Sequence, residues 1–430
     1  MFKTIKNALK TPEVRKKLLY TLLLIVVFRF GCFVTVPGVD TFTLAEQMHS
    51  ATNGVTGLID TISGGAFSRL SIFAMSITPY ITASIVIQLL GMVIPALERL
   101  TKEGGEEGRT KINKYTKILT IVLALIEGLG IFFSYKSSGI FLDTSFLGGF
   151  ITVLSLMTGT ALLIWLGEQI TNKGIGNGIS MLIFVGIVSG LPSGVVTVWN
   201  LIFGTSTFST VGLIEALGLI LGIVLLIAAV VFIQLAERRI PIQYANKSTS
   251  AYGAQNSFLP IKLNSAGVMP VIFASILTTI PATIVALTKN QGAIDFVNKY
   301  ILYNTPTGFV LYILLILFFG YFYTFMVMNP DEMSKNLNER GGYIPGIRPG
   351  EDTSNYISNS MGKLTLVGSI FLVILAAIPI IFSLIFGLSS QVTIGGTGML
   401  IVVGVAIETY KQMESSLVSR SYTAKRKRLR

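Results

Sequence analysis

Charge is scarce in this chain. Asp, Glu, Lys and Arg make up only 13% of its 430 residues, about half the share a soluble globular domain carries. A single histidine, His49, lies in a polar loop, so no second imidazole exists for a zinc or haem centre. A single cysteine, Cys32, excludes an internal disulfide and any cysteine-based metal site, and says nothing about compartment. Catalytic motifs are missing as well: there is no HExxH, no G-x-S-x-G and no plausible paired-carboxylate site. The run GIGNGIS has no strand before it and no P-loop lysine after it, so it reads as a turn between helices and not as a nucleotide loop. These absences argue against an enzyme, and no cofactor is expected.

Apolar residues are what the chain has in abundance, at 51% of the sequence with a mean hydropathy of +0.71. They fall in runs long enough to cross about 30 Å of hydrocarbon, which marks an all-α polytopic membrane protein. Ten spans are expected, at Leu18–Val36, Ser71–Ile94, Ile118–Tyr135, Gly148–Ile170, Asn177–Trp199, Val211–Ala236, Gly267–Thr288, Phe309–Met328, Leu364–Phe386 and Val392–Thr409. Ahead of them, residues 1–17 carry Phe2, Ile5 and Leu9 on one helical face with Lys3, Lys6 and Lys10 interleaved, the pattern of an amphipathic segment at a membrane surface. Gly31-Cys32 superficially suggests a lipoprotein cleavage site. Arg29, three residues before the cysteine, is wrong for one, so the first span reads as an uncleaved helix.

The net charge of +12 follows from where the basic residues lie. With ten spans both termini share one side, and that side holds 28 of the 33 Lys and Arg; the opposite side holds Arg69, Lys136, Lys289 and Lys299. The bias places both termini in the cytoplasm and accounts for the charge without nucleic acid. Five spans fall in 18–200 and five in 205–409, an odd number per half. Two halves sharing a fold would therefore be inverted about a pseudo-two-fold axis in the membrane plane. Cytoplasmic loops at 237–262 and 329–363 and a basic tail at 410–430 complete the division.

One stretch departs from the pattern of simple spans. Residues 57–70 are too short to cross a membrane, and Gly64, Gly65, Ser68 and Arg69 interrupt their apolar character. They lead directly into a full span containing Pro79. Irregular backbone at membrane depth survives only where protein or a water-filled cavity surrounds it. In the span that follows, Ile77, Ile81, Ser84 and Gln88 recur at steps of four, three and four, which puts them on one helix face. A lipid-facing stripe has no need of Ser84 and Gln88, whereas the wall of a path does. Ile179 and Ile183 likewise sit one turn apart on one face, Ile272 follows Pro270, and Ile401 follows the glycine-rich run 395–398. Isoleucine at helical spacing in a membrane protein is, by itself, usually packing.

Three runs carry a family resemblance: GGAFSRLSIFAMSITPYITASIVIQLL (64–90), WLGEQITNKGIGNGIS (165–180) and PDEMSKNLNERGGYIPGIRPG (330–350). In order and across essentially the whole chain, they resemble the signatures of the SecY family, the channel subunits of the bacterial Sec translocase. The resemblance implies a channel in the cytoplasmic membrane that moves unfolded secretory polypeptides across and releases hydrophobic segments of membrane proteins sideways into the lipid bilayer. It implies a constriction of Ile77, Ile81, Ile179, Ile183, Ile272 and Ile401. It also implies a plug at 57–70 including Gly64, Gly65, Phe67, Ser68 and Arg69, and a lateral gate with Thr82 and Glu127 facing the seventh span. There Ile280 occupies the position of the polar partner found in archaeal members, and Thr278 and Thr279 are the substitutes. Arg238, Arg239 and above all Arg348 would dock the motor ATPase SecA and the ribosome, and the small membrane subunits SecE and SecG would be partners. The rival reading is a secondary transporter, which also uses broken helices. It needs midplane ionisable groups, and here Glu127, Glu168, Glu215 and Glu408 lie mostly near span ends. An intramembrane protease would need a nucleophile–base pair that the chain lacks.

Overall fold

The computed structural model describes residues 9–44, 60, 63–102, 105–136, 138–190, 192, 196, 210–244, 257–288, 291–301, 305–386 and 396–428. Residues 1–8 of the amino-terminal segment, His49, residues 57–59, 61 and 62 of the expected plug, Trp199 and Gly395 lie outside the described residues. The first half contains α1 (Pro12–Gly31), α2 (Thr78–Val93), α3 (Pro95–Lys102), α4 (Gly105–Tyr135), α5 (Phe146–Lys173) and α6 (Gly178–Ser189). The second contains α7 (Thr210–Leu235), α8 (Met269–Thr288), α9 (Gln291–Tyr300), α10 (Pro306–Val327), α11 (Pro330–Glu339), α12 (Glu351–Phe386) and α13 (Gly396–Arg428). Each of the ten expected spans overlaps one of these helices. Among the described residues, the helices over 105–135, 146–173, 306–339 and 351–378 are long and apolar enough to cross a membrane, and shorter apolar helices run over 78–93, 178–189, 220–235 and 269–278.

Helix starts are set by local chemistry. Pro12, Pro79, Pro306 and Pro330 sit in the first turns of α1, α2, α10 and α11, where a missing N–H costs nothing. The Ser145 hydroxyl accepts from Gly148 N, and the Asn177 and Asn329 side chains accept from Ile179 N and Asp331 N, closing the amino ends of α5, α6 and α11.

The structure differs from the sequence expectation in three places. The span expected from Ser71 is helical only from Thr78; residues 72–77 form turns, and Leu70 and Ser76 adopt φ of 40° and 53°. Pro79 explains the late start, because a helix begun earlier would require an N–H that proline lacks. The charged segments 95–102, 105–117, 351–363 and 410–428 are helical: α3 and α4 occupy the first two, α12 begins at Glu351, and α13 continues to Arg428. Glu, Lys and Arg are good helix formers, so hydropathy marks where lipid contact begins and not where a helix does. The chain is also not wholly α. Strands β1 (Glu237–Tyr244), β2 (Ser257–Lys262) and β3 (Gly342–Tyr343) form an antiparallel sheet in the order β2-β1-β3. Ile240 and Ile242 alternate inward along β1 and pack with Ile261, Leu337, Ile344, Ile357 and Met361.

Among the described residues, two seams join the halves, and α4 also meets α8 beside the second. On one, Ile401 and Val402 of α13 pack into the cluster of Leu24 and Phe28 from α1 with Leu182, Ile183 and Ile187 from α6. On the other, Ile81, Ile85 and Leu89 of α2 meet Phe273 of α8 and Phe319 of α10. Close approach within each half rests on small residues. A side chain at Gly178 would overlap the Gly167 carbonyl, one at Gly320 the Ser369 hydroxyl, and one at Gly159 the Ile72 carbonyl. Gly159→Val should therefore lower the thermal midpoint of the purified protein, at a cost of about 1–3 kcal/mol. Gly362→Ala in α12, where an added methyl meets nothing within 4 Å, should be neutral or gain up to about 1 kcal/mol. Equal midpoints for the two variants would show that α5 does not depend on its closeness to residue 72.

Candidate functional site

The expected constriction is assembled from three elements. Ile77 caps the amino end of α2 and Ile81 accompanies it one turn on, their link fixed by the Ile81 N–H donating to the Ile77 carbonyl at 3.0 Å. Ile179 and Ile183 line the first turns of α6, and Ile401 comes from α13. These five share one apolar cluster, in which Ile77 is 1% and Ile183 8% exposed. Ile272 stands apart. Its neighbours on α8 diverge, Val271 and Ala274 entering the core of the second half and Phe273 the seam with α2, while Ile272 itself is half-buried. Further along α2, Gln88 Nε2 donates to Ser84 Oγ at 3.0 Å, so the polar pair of the same face satisfies itself.

The described part of the expected plug packs directly on that cluster. Ala66 is fully buried among Ile77, Ile183 and Ile187, and Phe67 turns the other way, toward Leu70, Met75, Leu156 and the loop residue Phe141. Gly64 and Gly65 adopt φ of 69° and 80°, which only glycine takes without strain. The segment staples itself: Ser68 N donates to Asp60 Oδ1 at 2.8 Å, Ser63 Oγ donates to the Asp60 carbonyl at 3.0 Å, and Phe67 N donates to Ser63 Oγ at 3.1 Å. Arg69 is exposed and lies over the Phe33 ring, 4.5 Å from its centroid. Sequence reasoning missed Arg29 of α1, whose Nη1 donates to the Gly64 carbonyl at 2.6 Å, and Ser189 of α6, whose hydroxyl lies 3.5 Å from the same oxygen. A cation inside an apolar span is the signal that marks Arg29.

The expected gate residues do not bond across the seam. Thr82 Oγ1 donates to the Thr78 carbonyl at 3.0 Å, and Thr278 Oγ1 to the Ala274 and Ser275 carbonyls at 3.1 and 2.9 Å, each within its own helix. Glu127 on α4 is half-buried and makes no hydrogen bond among the described residues. On the second half's side of the seam, rings join α8 to α10. The Phe273 ring stands edge-on to Phe319 at 5.4 Å and to Tyr323 at 5.6 Å. Of the other acidic groups, Glu168 pairs with Lys117 at 2.5 Å, joining α4 to α5.

The arginines of the two loops share one platform. Residues 243–244 of β1 pair with 342–343 of β3, and Tyr343 OH donates to Gln243 Oε1 at 2.9 Å. Arg238 and Arg239 are exposed on β1; Arg239 is tied to Glu237 at 2.8 Å and lies over Phe258 at 4.7 Å. Arg348 is exposed between Gly346 and Gly350, at φ of 82° and 102°. Its backbone is fixed, since Thr353 Oγ1 donates to the Arg348 carbonyl at 2.8 Å and Ser334 Oγ to the Gly350 carbonyl at 2.7 Å. A rigid loop thus displays a guanidinium that bonds to no side chain among the described residues.

Comparison with known proteins matches this arrangement. The family model described as SecY covers residues 71–410. The protein translocase subunit SecY of Staphylococcus carnosus is 42% identical over 427 residues, covering 98% of this chain and 99% of that protein. That of Bacillus subtilis is 43% identical over 429 residues with the same coverage, 98% and 99%. Among solved structures, one described as a protein conducting channel superposes with a TM-score of 0.65 at 21% identity, covering 94% of this chain and 93% of that one. Sec61 in a canine ribosome–channel complex gives 0.60 at 20% identity, again over 94% and 93%. At those identities the structures speak for the fold, and the relatives speak for the family. The secondary-transporter reading finds no support among them. With a family model over residues 71–410 and relatives at this identity over nearly the whole chain, the chain belongs to the SecY family of protein translocase subunits, which are multi-pass membrane channel proteins.

Proposed function

We propose that the five clustered isoleucines and the segment resting on them form the seal of this protein-conducting channel, seated in a cytoplasmic membrane with both termini in the cytoplasm. The burial of Ala66 against Ile77, Ile183 and Ile187 is the observation that carries the reading. A ring of aliphatic groups offers ions no ligands and dewets easily, yet it deforms around any side chain in transit. Fixed charges or donors in the same place would select among substrates. A polypeptide entering from the cytoplasm displaces the cover at Gly64–Phe67 and threads the ring.

Sideways release uses the seam of Ile85, Phe273 and Phe319. Thr82 and Thr278 are already satisfied within their own helices, so parting α2 from α8 breaks packing and leaves their hydroxyls bonded. Lipid is as apolar as those side chains, and no hydrophobic force holds the helices together in a bilayer. A hydrophobic segment can therefore replace one wall of the seam at little cost, whereas a polar one cannot.

Energy for the polar majority of substrates comes from a partner. The exposed platform bearing Arg238, Arg239 and Arg348 suits acidic surfaces or ribosomal RNA phosphates, and SecA and the ribosome are the partners proposed for it. SecE and SecG are the proposed companions within the membrane.

Three experiments test these readings. A photo-crosslinker at Ile77 or Ile183 should capture a stalled secretory chain, while one at Leu221, 62% exposed on α7, should not; equal capture would reduce the ring to ordinary packing. Ile272 tested alongside them decides whether α8 joins the ring during transit. Arg348→Glu should leave stability within about 0.5 kcal/mol, as surface charges do, yet slow motor-driven translocation into vesicles by at least about tenfold, a change of about 1.4 kcal/mol in the barrier. An unchanged rate would leave Arg348 with topology alone. Cysteines at Glu107 and Glu351 should react with an impermeant reagent only after cells are opened, and cysteines at Phe42 and Leu142 in intact cells; the reverse pattern overturns the orientation.

A further inference from the structure

Arg29 stands near the carboxyl end of α1, two residues before its last residue, Gly31. No carboxylate pairs with it among the described residues. A cation there is favoured by the helix dipole but still needs hydrogen-bond acceptors, because lipid supplies none. Nη1 donates to the Gly64 carbonyl at 2.6 Å, and the guanidinium also reaches the buried Cys32 sulfur next to its own helix. Its guanidinium also lies 5.3 Å from the centroid of the Phe33 ring, the ring that Arg69 covers from the other end of the same segment.

Gly64 is shaped for this contact. A Cβ there would come within 2.6 Å of Ser189 Oγ, 2.9 Å of Arg29 Nη1 and 3.0 Å of the Gly186 Cα, and its φ of 69° disfavours any other residue. The carbonyl is thus pressed into a notch between α1 and α6. One wall of the notch donates a charge-assisted bond; on the other, the Ser189 hydroxyl has its shorter contact with its own helix, at 2.6 Å from the Gly186 carbonyl. Arg29 supplies the strong interaction.

We propose that Arg29 is the latch that holds the cover closed, acting through the Gly64 carbonyl. The proposal rests on the reading of 57–70 as a seal and adds the residue that sets how readily the seal leaves. Apolar contacts of Ala66 are replaceable by any passing side chain, so packing alone holds the cover weakly against a hydrophobic substrate. A charge-assisted hydrogen bond about twice as strong as a neutral one gives the closed state a contact that the cover loses on moving away.

The test is single-channel recording in planar bilayers. Arg29→Gln keeps a side-chain donor and removes the charge; it should raise the open-to-closed ratio by about tenfold or more, the loss of a hydrogen bond to a charged group. Gly64→Ala attacks the same contact from the other side and should raise it comparably with Arg29 intact. In a channel lacking residues 57–70, Arg29→Gln should add nothing further, as coupling through one contact requires. A quiet Arg29→Gln channel beside a leaky deletion overturns the latch and leaves the seal standing. The same increase with and without 57–70 also overturns it, since Arg29 would then act on the scaffold. A deletion that is itself silent removes the seal reading, and the latch with it. Thermal midpoints of the two point variants within a few degrees of the parent protein show that the recordings report gating and not collapse.

Discussion

In hydrocarbon every backbone N–H and C=O must find its partner inside the protein, and the irregular stretch from Ser63 to Ile77 is where that constraint presses hardest. Its groups are satisfied piecemeal. Val36 N donates to the Leu70 carbonyl and Ile72 N to the Val34 carbonyl, a two-rung ladder with the segment following α1; Ser71 N reaches the Ala66 carbonyl, and Ser76 N the Phe73 carbonyl. Around it, Gly159 lets α5 come up against the Ile72 carbonyl, while Phe73 stacks on Phe28 with ring centroids 5.9 Å apart. The helices of the first half are thus arranged as a sleeve for non-helical backbone, which hands over to α2 at Ile77.

A second consequence of the same solvent is the division of labour between polar and apolar contacts. Contacts that must persist are polar or interlocked: Lys117 with Glu168, the stapled 60–68 turn, the caps at Ser145 and Asn177. The seam between α2 and the pair α8 and α10 carries rings and aliphatic groups. In water such a seam would be the most tenacious part of the molecule. In lipid it is the part most easily exchanged for something equally greasy.

Much of this was legible in the sequence. Ten apolar runs stand out because lipid leaves no other choice of composition, and each overlaps a helix, while the step pattern of Ile77, Ile81, Ser84 and Gln88 sets them on one face of α2. What escaped notice has identifiable causes. The true start of α2 was hidden because hydropathy does not register where Pro79 forbids a hydrogen bond. The charged extensions of α4, α12 and α13 are hidden because charged helix formers look like loop on a hydropathy scale. The alternation of Ile240 and Ile242 is a strand signal, but it sits in a proline-containing, arginine-flanked loop and spans too few residues to stand out among so many helices. The separation of Ile272 from the other isoleucines depends on which way α8 is rotated, and that is fixed by the partners of Val271 and Phe273 across the fold, far away in sequence.

The length of α12 has a mechanical meaning. Ahead of Pro379, its run from Glu351 to Ile378 has 28 residues and measures about 42 Å, still beyond the 30 Å or so of hydrocarbon. Its amino-terminal turns are clamped to α11 by the Ser354 hydroxyl on Asp331 Oδ1 and by the Ser334 hydroxyl on the Gly350 carbonyl. The loop bearing Arg348 is therefore the handle of a stiff rod whose far portion runs in the core of the second half, where Leu372 and Leu375 pack with Val271 and Ala274 of α8. A push of a few ångströms on the handle tilts the rod as one piece instead of being lost in a slack connection. The torque arrives at α8, the helix that forms one side of the seam.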